Sequence, residues 1–249
     1  MFVNNQGKVI KKYFRKLVHL FTFKFYIKPG LNRKISVKLG GFTFAVYPSV
    51  FNIRYSVSSK VFVSYINTLE LHGKTILDMG CGCGIVSIFA ASKGAECTAV
   101  DINPMAVKSA SENAEANGFK DKINVLEGDL FTASPPTSLQ NGEGGKSSGF
   151  IVSESEGYDN IFFNPPYYRG LPGNDFERAF KGGENYDVIN GFLADAKKYL
   201  SKDGYICMII SSDMGIEEFT DIAEKTGYSC KIVTKINKLF ETFYIVNLV

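Results

Sequence analysis

A carboxylate and three glycines stand together in a short stretch of this sequence where ligand chemistry is expected. Asp78 lies at the end of an apolar run, and Gly80, Gly82 and Gly84 follow it at alternate positions. Glycines allow the backbone to approach a ligand closely and to turn sharply into a helix. The Asp78 carboxylate suits a cationic amino group, so this stretch predicts a binding site for a ligand that carries an ammonium group.

Two further acids end the next two predicted strands. Asp101 lies 17 residues after Gly84, where a carboxylate can accept hydrogen bonds from both hydroxyls of a ribose. Asp129 is placed to bind the exocyclic amino group of an adenine, with Ile102 and Leu130 on the two faces of the ring. Any one acid alone reads as a helix cap or a turn residue. Three acids at three successive strand ends predict a nucleoside-like ligand.

A dinucleotide-binding dehydrogenase shares part of this pattern, but its phosphate fingerprint is not met. That fingerprint, Gly-x-Gly-x-x-Gly, requires a glycine where this chain has Ile85. A carboxylate such as Asp78, two residues before the first glycine, also disfavours a pyrophosphate nearby. We therefore predict a ligand without phosphate groups.

These residues must be positioned by alternating strands and helices. The apolar periodicity predicts strands over residues 74–79, 96–101, 123–126, 160–163, 205–210, 230–236 and 242–249. It predicts helices over residues 85–92, 104–117, 187–200 and 216–225. Such alternation indicates a doubly wound α/β fold with a mostly parallel sheet. The linker between the last two strands is too short for a crossover, so we expect a C-terminal antiparallel hairpin.

Two regions lie outside this alternation. Residues 1–49 form a basic, aromatic N-terminal extension, in which we expect a helix over Lys8–Phe25 and a hairpin that turns at Gly40-Gly41. Residues 132–149 are rich in Ser, Thr, Pro and Gly, which predicts a flexible surface insertion. The predicted ligand-binding domain therefore spans residues 50–249 and contains this insertion.

Charge is distributed unevenly along the chain. Twelve basic residues and no acidic residue precede Glu70. Such a block suits an anionic partner, either a nucleic acid or an anionic membrane surface. A helix that packs its aromatic face on the domain and leaves its lysines solvated is the interpretation that we rank first, and nucleic acid is second.

Composition argues against a metal site, a disulfide framework, a membrane span and a secretory signal peptide. Five cysteines and two histidines show neither a disulfide framework nor zinc-ligand spacing, so we predict no metal and a reducing compartment. No apolar run reaches the roughly 18 residues that a transmembrane helix needs. The N-terminal segment also lacks the features of a signal peptide, and we expect a cytoplasmic protein.

Four short stretches resemble the class I methyltransferases, and the similarity covers roughly residues 51–249. The stretches are Leu-Asp-Met-Gly-Cys-Gly-Cys-Gly at 77–84, Val-Asp-Ile-Asn-Pro at 100–104, Gly-Asp-Leu-Phe at 128–131 and Asn-Pro-Pro-Tyr at 164–167. The resemblance implies S-adenosylmethionine as the cofactor. It also implies a seven-stranded sheet whose last strand is antiparallel.

The Asn-Pro-Pro-Tyr stretch resembles the signature of class I enzymes that methylate planar nitrogens. A turn is the plain alternative, since prolines often end strands. In the enzymatic interpretation, the Asn164 side-chain oxygen and the Pro165 carbonyl accept hydrogen bonds from the target amino group. Pro166 stiffens the loop and Tyr167 stacks on the planar acceptor. A domain that binds the cofactor without catalysis is a weaker alternative, because it would not need this motif.

The methyl acceptor is open between two classes. Residues 177–192 are similar to the segment that follows the signature in release-factor glutamine methyltransferases, whose substrate is a glutamine side-chain amide in a Gly-Gly-Gln loop. That resemblance implies a protein partner and protein methylation. Relatives with the same signature methylate adenine amino groups, and the basic N-terminal extension suits such a nucleic-acid substrate.

Overall fold

The computed structural model describes residues 33–134, 157–238 and 241–249. The predicted helix over Lys8–Phe25 lies outside the described residues, as does the predicted insertion from residue 135 onward. The first three residues of that insertion, Thr132–Ser134, form a short strand that pairs antiparallel with its neighbour. The predicted insertion at residues 132–149 thus begins with a short edge strand, and its remaining residues stay a prediction.

The described residues form ten strands, which make up one hairpin and one large sheet. The hairpin consists of β1 (Ile35–Leu39) and β2 (Phe42–Val46), and it turns at Gly40-Gly41 as predicted. The sheet contains β3 (Thr75–Met79), β4 (Glu96–Asp101), β5 (Ile123–Asp129), β6 (Thr132–Ser134), β7 (Tyr158–Phe163), β8 (Leu200–Ser211), β9 (Cys230–Asn237) and β10 (Thr242–Leu248).

The strand order of the sheet is β6-β5-β4-β3-β7-β8-β10-β9. Strands β5, β4, β3, β7 and β8 are mutually parallel, whereas β10 runs antiparallel to both β8 and β9. This confirms the predicted seven-stranded, mostly parallel sheet with a C-terminal antiparallel hairpin. The three-residue strand β6 adds an eighth strand at one edge.

Helices cover both faces of the sheet. They are α1 (Val57–Ile66), α2 (Ile85–Ser92), α3 (Pro104–Ala116), α4 (Asp175–Arg178), α5 (Asp187–Asp195) and α6 (Ile216–Lys225), with a 3-10 turn over Ala196–Tyr199. The predicted helix over residues 187–200 is thus shorter, because β8 begins at Leu200. No helix of the described residues is long and apolar enough to cross a membrane.

Successive residues of the central strands enter two different cores. Ile76 and Phe162 pack into a cluster with α1, α2, α3 and the hairpin, while their neighbours Leu77 and Phe163 pack into a cluster with α5 and α6. Side chains alternate across a strand, so a strand that is apolar at consecutive positions must be covered on both faces. This arrangement explains why the central strands read as unbroken apolar runs.

The hairpin is joined to the domain by Asn113 in α3 and by Asn117, the C-cap residue of the same helix. The Asn113 side chain accepts from the Ala45 amide at 2.7 Å and donates to the Ala45 carbonyl at 2.9 Å. Asn117 binds the amide and carbonyl of Thr43 in the same way. Four residues of helix rise about 6 Å and two residues of strand about 6.7 Å, so the two amides match the strand's repeat.

Asn113 is buried and also donates to the Cys83 carbonyl, whereas the Asn117 contacts are exposed. We expect Asn113→Ala to lower the free energy of unfolding by about 2–3 kcal/mol, since it removes the partner of the buried Cys83 carbonyl and of the half-buried Ala45 amide, while the Ala45 carbonyl keeps its bond from Ser109. Asn117→Ala is the matched control and should cost about 1 kcal/mol or less, because water can replace its bonds. Urea denaturation of both variants measures the difference, and equal losses would contradict this account.

Candidate active site

The site begins where two neighbouring strands end. Strands β3 and β7 are adjacent and parallel, and Met79 is paired with Phe163. The glycine stretch and the Asn-Pro-Pro-Tyr stretch start with the next residue of each strand, Gly80 and Asn164. Two motifs that are 84 residues apart in sequence therefore leave the same sheet edge side by side.

A cavity of about 340 Å³ lies at this edge. With one exception, every predicted site residue lines it; these residues are Asp78, Gly80, Gly82, Asp101, Ile102, Asp129, Leu130, Asn164, Pro165, Pro166 and Tyr167. Ligands of open α/β sheets bind at the carboxyl ends of the strands, beside the point where the strand order reverses. Here that point lies between β3 and β7.

Gly84 is the exception among the predicted residues and does not line the cavity. It precedes α2 with φ of 77°, and a Cβ atom there would lie 3.2 Å from the Ala110 Cα of α3. Its missing side chain therefore permits the close packing of α2 against α3. Gly84 therefore acts on the site through helix packing and does not contact the cavity itself.

Asp78 is the buried acid of the site. Its carboxylate accepts hydrogen bonds from the amide of Ser87 at 3.0 Å and from the Ser87 hydroxyl at 2.5 Å. Burial raises the pKa of Asp78 to about 7, against the lowering effect of these two bonds. A buried carboxylate that faces a cavity without a cationic partner suits a ligand with an ammonium or sulfonium charge.

Asp101 holds the glycine turn in place. One oxygen of its carboxylate accepts from the Gly82 amide at 2.8 Å, and the other accepts from the Asn103 amide at 2.9 Å. Burial raises the pKa of Asp101 above its usual value. Each oxygen keeps a second lone pair, so the carboxylate can still accept the two ribose hydroxyls that the sequence predicted.

The residues predicted to hold an adenine ring, Ile102, Asp129 and Leu130, line the same cavity as Asp101. Ile102 is 41% exposed although it is a large apolar residue, and it lines the cavity. Leu130 has φ of 51°, a left-handed conformation that costs energy for a residue with a branched side chain, and it also lines the cavity. Exposed Asp129 precedes it. A planar ring between the two apolar side chains would bury both of them.

The Asn-Pro-Pro-Tyr loop is braced by the segment that follows α4. The Tyr168 amide donates to the Phe180 carbonyl and the Gly182 amide donates to the Tyr168 carbonyl, both at 2.9 Å. The Gly170 amide donates to the Gly183 carbonyl at 3.0 Å. We call the paired segments 168–170 and 180–183 the ribbon. A Cβ atom on Gly182 would lie 2.3 Å from the Pro166 carbonyl oxygen, so only glycine fits there.

Ser58 is a site residue that the sequence pattern did not reveal. Its hydroxyl is buried in the first turn of α1, 3.4 Å from the Asn164 side-chain nitrogen, and it also hydrogen-bonds the Tyr167 side chain. Because the nitrogen of Asn164 faces Ser58, its oxygen is left for the cavity. Its hydroxyl also lies 3.2 Å from that of the N-cap residue Ser56. A serine in the stretch Ser-Val-Ser-Ser at 56–59 gives no sequence signal beyond a helix cap.

The segment that links the hairpin to α1 forms another unpredicted wall of the cavity. Ser49, Val50, Phe51 and Ile53 line the cavity, and the Asn103 side chain donates to the Ser49 carbonyl at 3.0 Å. The ring of Phe51 packs on that of Phe180, with centroids 5.1 Å apart. Asn103 is therefore both the N-cap of α3 and the anchor of this wall.

Among the described residues, no group of His, Cys, Asp and Glu side chains is arranged to hold a metal ion. The five cysteines are free, and burial raises the pKa of Cys83 to about 12. Cys81 and Cys83 are thus small buried side chains between the glycines. Neither is a thiolate near neutral pH, which makes them poor nucleophiles.

Comparison with known proteins gives several similarities. Residues 58–138 match the family model described as ribosomal protein L11 methyltransferase (PrmA). A candidate protein N5-glutamine methyltransferase of Methanocaldococcus jannaschii is 29% identical over 220 residues, covering 85% of this chain and 97% of that protein. The tRNA1(Val) (adenine(37)-N6)-methyltransferase of Yersinia pestis is 26% identical over 165 residues, covering 64% of this chain and 58% of that enzyme.

The fold is shared with solved structures. The 16S rRNA N2 G1207 methyltransferase of Thermus thermophilus, solved in complex with S-adenosylmethionine and guanosine, matches with a TM-score of 0.60 and 19% identity. The match covers 87% of this chain and 50% of that one. The two chains therefore share the fold.

The relatives, the fold and the cavity at its switch point together define a class I S-adenosylmethionine-dependent methyltransferase. The Asn-Pro-Pro-Tyr motif, which resembles the signature of enzymes that methylate planar nitrogens, lines this cavity. More particularly, the chain is an S-adenosylmethionine-dependent N-methyltransferase.

We expect cofactor affinity to depend on the ionisation of Asp78. Below its pKa of about 7 the side chain is neutral and loses its attraction to a cationic ligand. Affinity for S-adenosylmethionine should therefore fall roughly tenfold for each pH unit below about 7, and level off above it. Calorimetric titration across this range measures the effect. Asp78→Asn is the control and should bind weakly at every pH, so a flat profile in the unaltered protein would refute the assignment.

Gly182→Ala should impair catalysis while leaving cofactor binding nearly intact. The added methyl group would collide with the Pro166 carbonyl and displace the Asn-Pro-Pro-Tyr loop. A displacement of about 1 Å at a reacting centre can lower kcat by roughly 10²-fold. Gly173→Ala is the matched control in the same region, because its Cβ would meet only Glu177 at an ordinary 3.5 Å. Equal kcat values in the two variants would speak against the bracing role.

Proposed function

We propose that this enzyme methylates the side-chain amide of a glutamine in a protein, with a translation release factor as the leading candidate acceptor. The observation that carries the proposal is the bracing of the Asn-Pro-Pro-Tyr loop by Gly182. This glycine belongs to the segment 177–192, which resembles release-factor glutamine methyltransferases. The resemblance therefore lies in residues that shape the acceptor side of the cavity.

The extent of similarity supports the same acceptor. The archaeal candidate glutamine methyltransferase is matched over 97% of its own length, whereas the tRNA methyltransferase is matched over 58%. The chain therefore covers nearly all of the first protein.

We assign the twelve predicted residues to two roles. Asp78 would hold the amino group of the cofactor, Asp101 its ribose, and Asp129 with Ile102 and Leu130 its adenine; Gly80 and Gly82 would let the backbone approach it. Gly84 supports this arrangement only through helix packing. The residues Asn164, Pro165, Pro166 and Tyr167 would contact the methyl acceptor.

The chemistry of an amide nitrogen explains the acceptor residues. Its lone pair is delocalised into the carbonyl, so the free amide is a poor nucleophile. The Asn164 oxygen and the Pro165 carbonyl can each accept one N–H, which aims the lone pair at the methyl group and stabilises positive charge on the nitrogen. When bound, the cofactor supplies a methyl group that is already activated by its sulfonium charge. The chain therefore needs no strong general base.

Adenine in RNA or DNA is the second candidate acceptor, and two observations favour it. The tRNA adenine-N6 relative modifies a planar amino group, and twelve basic residues precede Glu70 in this chain. The same two hydrogen-bond acceptors serve an exocyclic amine as well as an amide.

Methyl-labelled S-adenosylmethionine should be incubated with the enzyme and an extract of its host, and the product divided between protease and nuclease. Loss of label to protease, followed by labelling of purified release factor, is the expected result. In the same assay Asn164→Ala should lower turnover about 10²–10³-fold, as for the loss of one charge-stabilising group, with cofactor affinity unchanged. Label that is lost to nuclease alone would contradict a protein acceptor and would identify adenine as the methyl acceptor.

A further inference from the structure

The mouth of the cavity carries an unusual apolar residue. Leu171 has 69% of its surface exposed, the largest fraction among the exposed large apolar residues of the described chain. It follows the ribbon directly and lines the cavity together with Pro172, Phe51 and Phe180. We call these four residues the lip. Single exposed leucines are common on protein surfaces, so the position at the cavity mouth is what needs explanation.

The exposure of Leu171 is built into the loop. The side chain of Asn174 accepts a hydrogen bond from the Glu177 amide at 3.0 Å, and the Gly173 amide donates to the Glu177 carboxylate at 2.9 Å. On the other side, the Gly170 amide is bonded to the Gly183 carbonyl. Leu171 is thus held between two anchored points and presents its side chain at low entropic cost.

The charges around the lip are already neutralised. Lys181 and Arg178 are the two cations that line the cavity; Lys181 pairs with Glu177 at 2.8 Å and Arg178 with Asp175 at 3.6 Å. Arg169 on the ribbon pairs with Glu218. Residues 169–187 contain three basic and four acidic side chains. A phosphate backbone would have to displace these carboxylates, whereas an uncharged peptide leaves the pairs intact.

We propose that the lip docks a neutral, apolar stretch of polypeptide next to the target amide. An apolar side chain of the acceptor would pack on Leu171 and Pro172 while the adjoining glutamine enters toward Asn164. The inference rests on the proposed function, because it takes a protein amide as the acceptor. It adds Leu171 as a residue that determines acceptor specificity without touching the reacting atoms.

The test compares Leu171→Glu with Ile232→Glu in the full-length chain. Ile232 is 47% exposed on the edge strand β9 and does not line the cavity, so it is a matched apolar control. The assay uses purified, unmethylated release factor and an unmodified tRNA transcript as acceptors. We expect Leu171→Glu to raise KM for the release factor about tenfold or more, since a buried interface is disfavoured by an unpaired carboxylate.

The cofactor Kd and the kcat show whether a variant is still folded and active. The identity of the labelled acceptor tests the proposed function separately from docking at the lip. Both variants should keep the cofactor Kd and the kcat of the unaltered enzyme at saturating release factor. An unchanged KM in Leu171→Glu, with normal labelling of the release factor, would overturn the lip but leave the proposed function standing. Labelling of the tRNA alone by the unaltered enzyme would overturn both.

Discussion

The pairing of β3 with β7 is the constraint on which the active site depends. Each strand contributes apolar side chains to both cores, so its register is set by packing on both faces of the sheet. A slip of one residue would exchange Leu77 with Ile76 between the cores and withdraw Gly80 from Asn164. The energy that holds the site together therefore comes from the buried sheet, and the loops need only short hydrogen-bonded braces.

The buried carboxylate of Asp78 links binding to stability. Its pKa of about 7 in the folded protein lies above the ordinary value of 3.8, so the folded state holds this proton more tightly than the unfolded chain does. The contribution of this group to stability is consequently present at low pH and is lost as the pH rises through about 7. A cationic ligand restores what ionisation removes, because it neutralises the carboxylate in place. The site is thus less stable without its ligand than an apolar core would be.

The hairpin and the linker after it have a structural task in the catalytic domain. Phe44 and Val46 are buried in the same core as α2 and α3, and Asn113 ties β2 to the glycine turn through the Cys83 carbonyl. The linker then passes over the cavity, where Phe51 meets Phe180. The N-terminal segment that the sequence marks as an extension is, over its described part, continuous with the wall of the site.

The sequence by itself determined the mostly parallel fold and the candidate site residues at the strand ends, nearly all of which line the cavity, because these follow from local periodicity and side-chain chemistry. It did not predict α1, since Val57–Ile66 is rich in serine and β-branched residues and becomes helical only through packing and the Ser56 cap. Nor could it place Ser58 beside Asn164, Gly182 beside Pro166 or Gly84 behind the cavity. Those contacts join residues far apart in the chain, and only the order of the strands and the packing of the helices decided them.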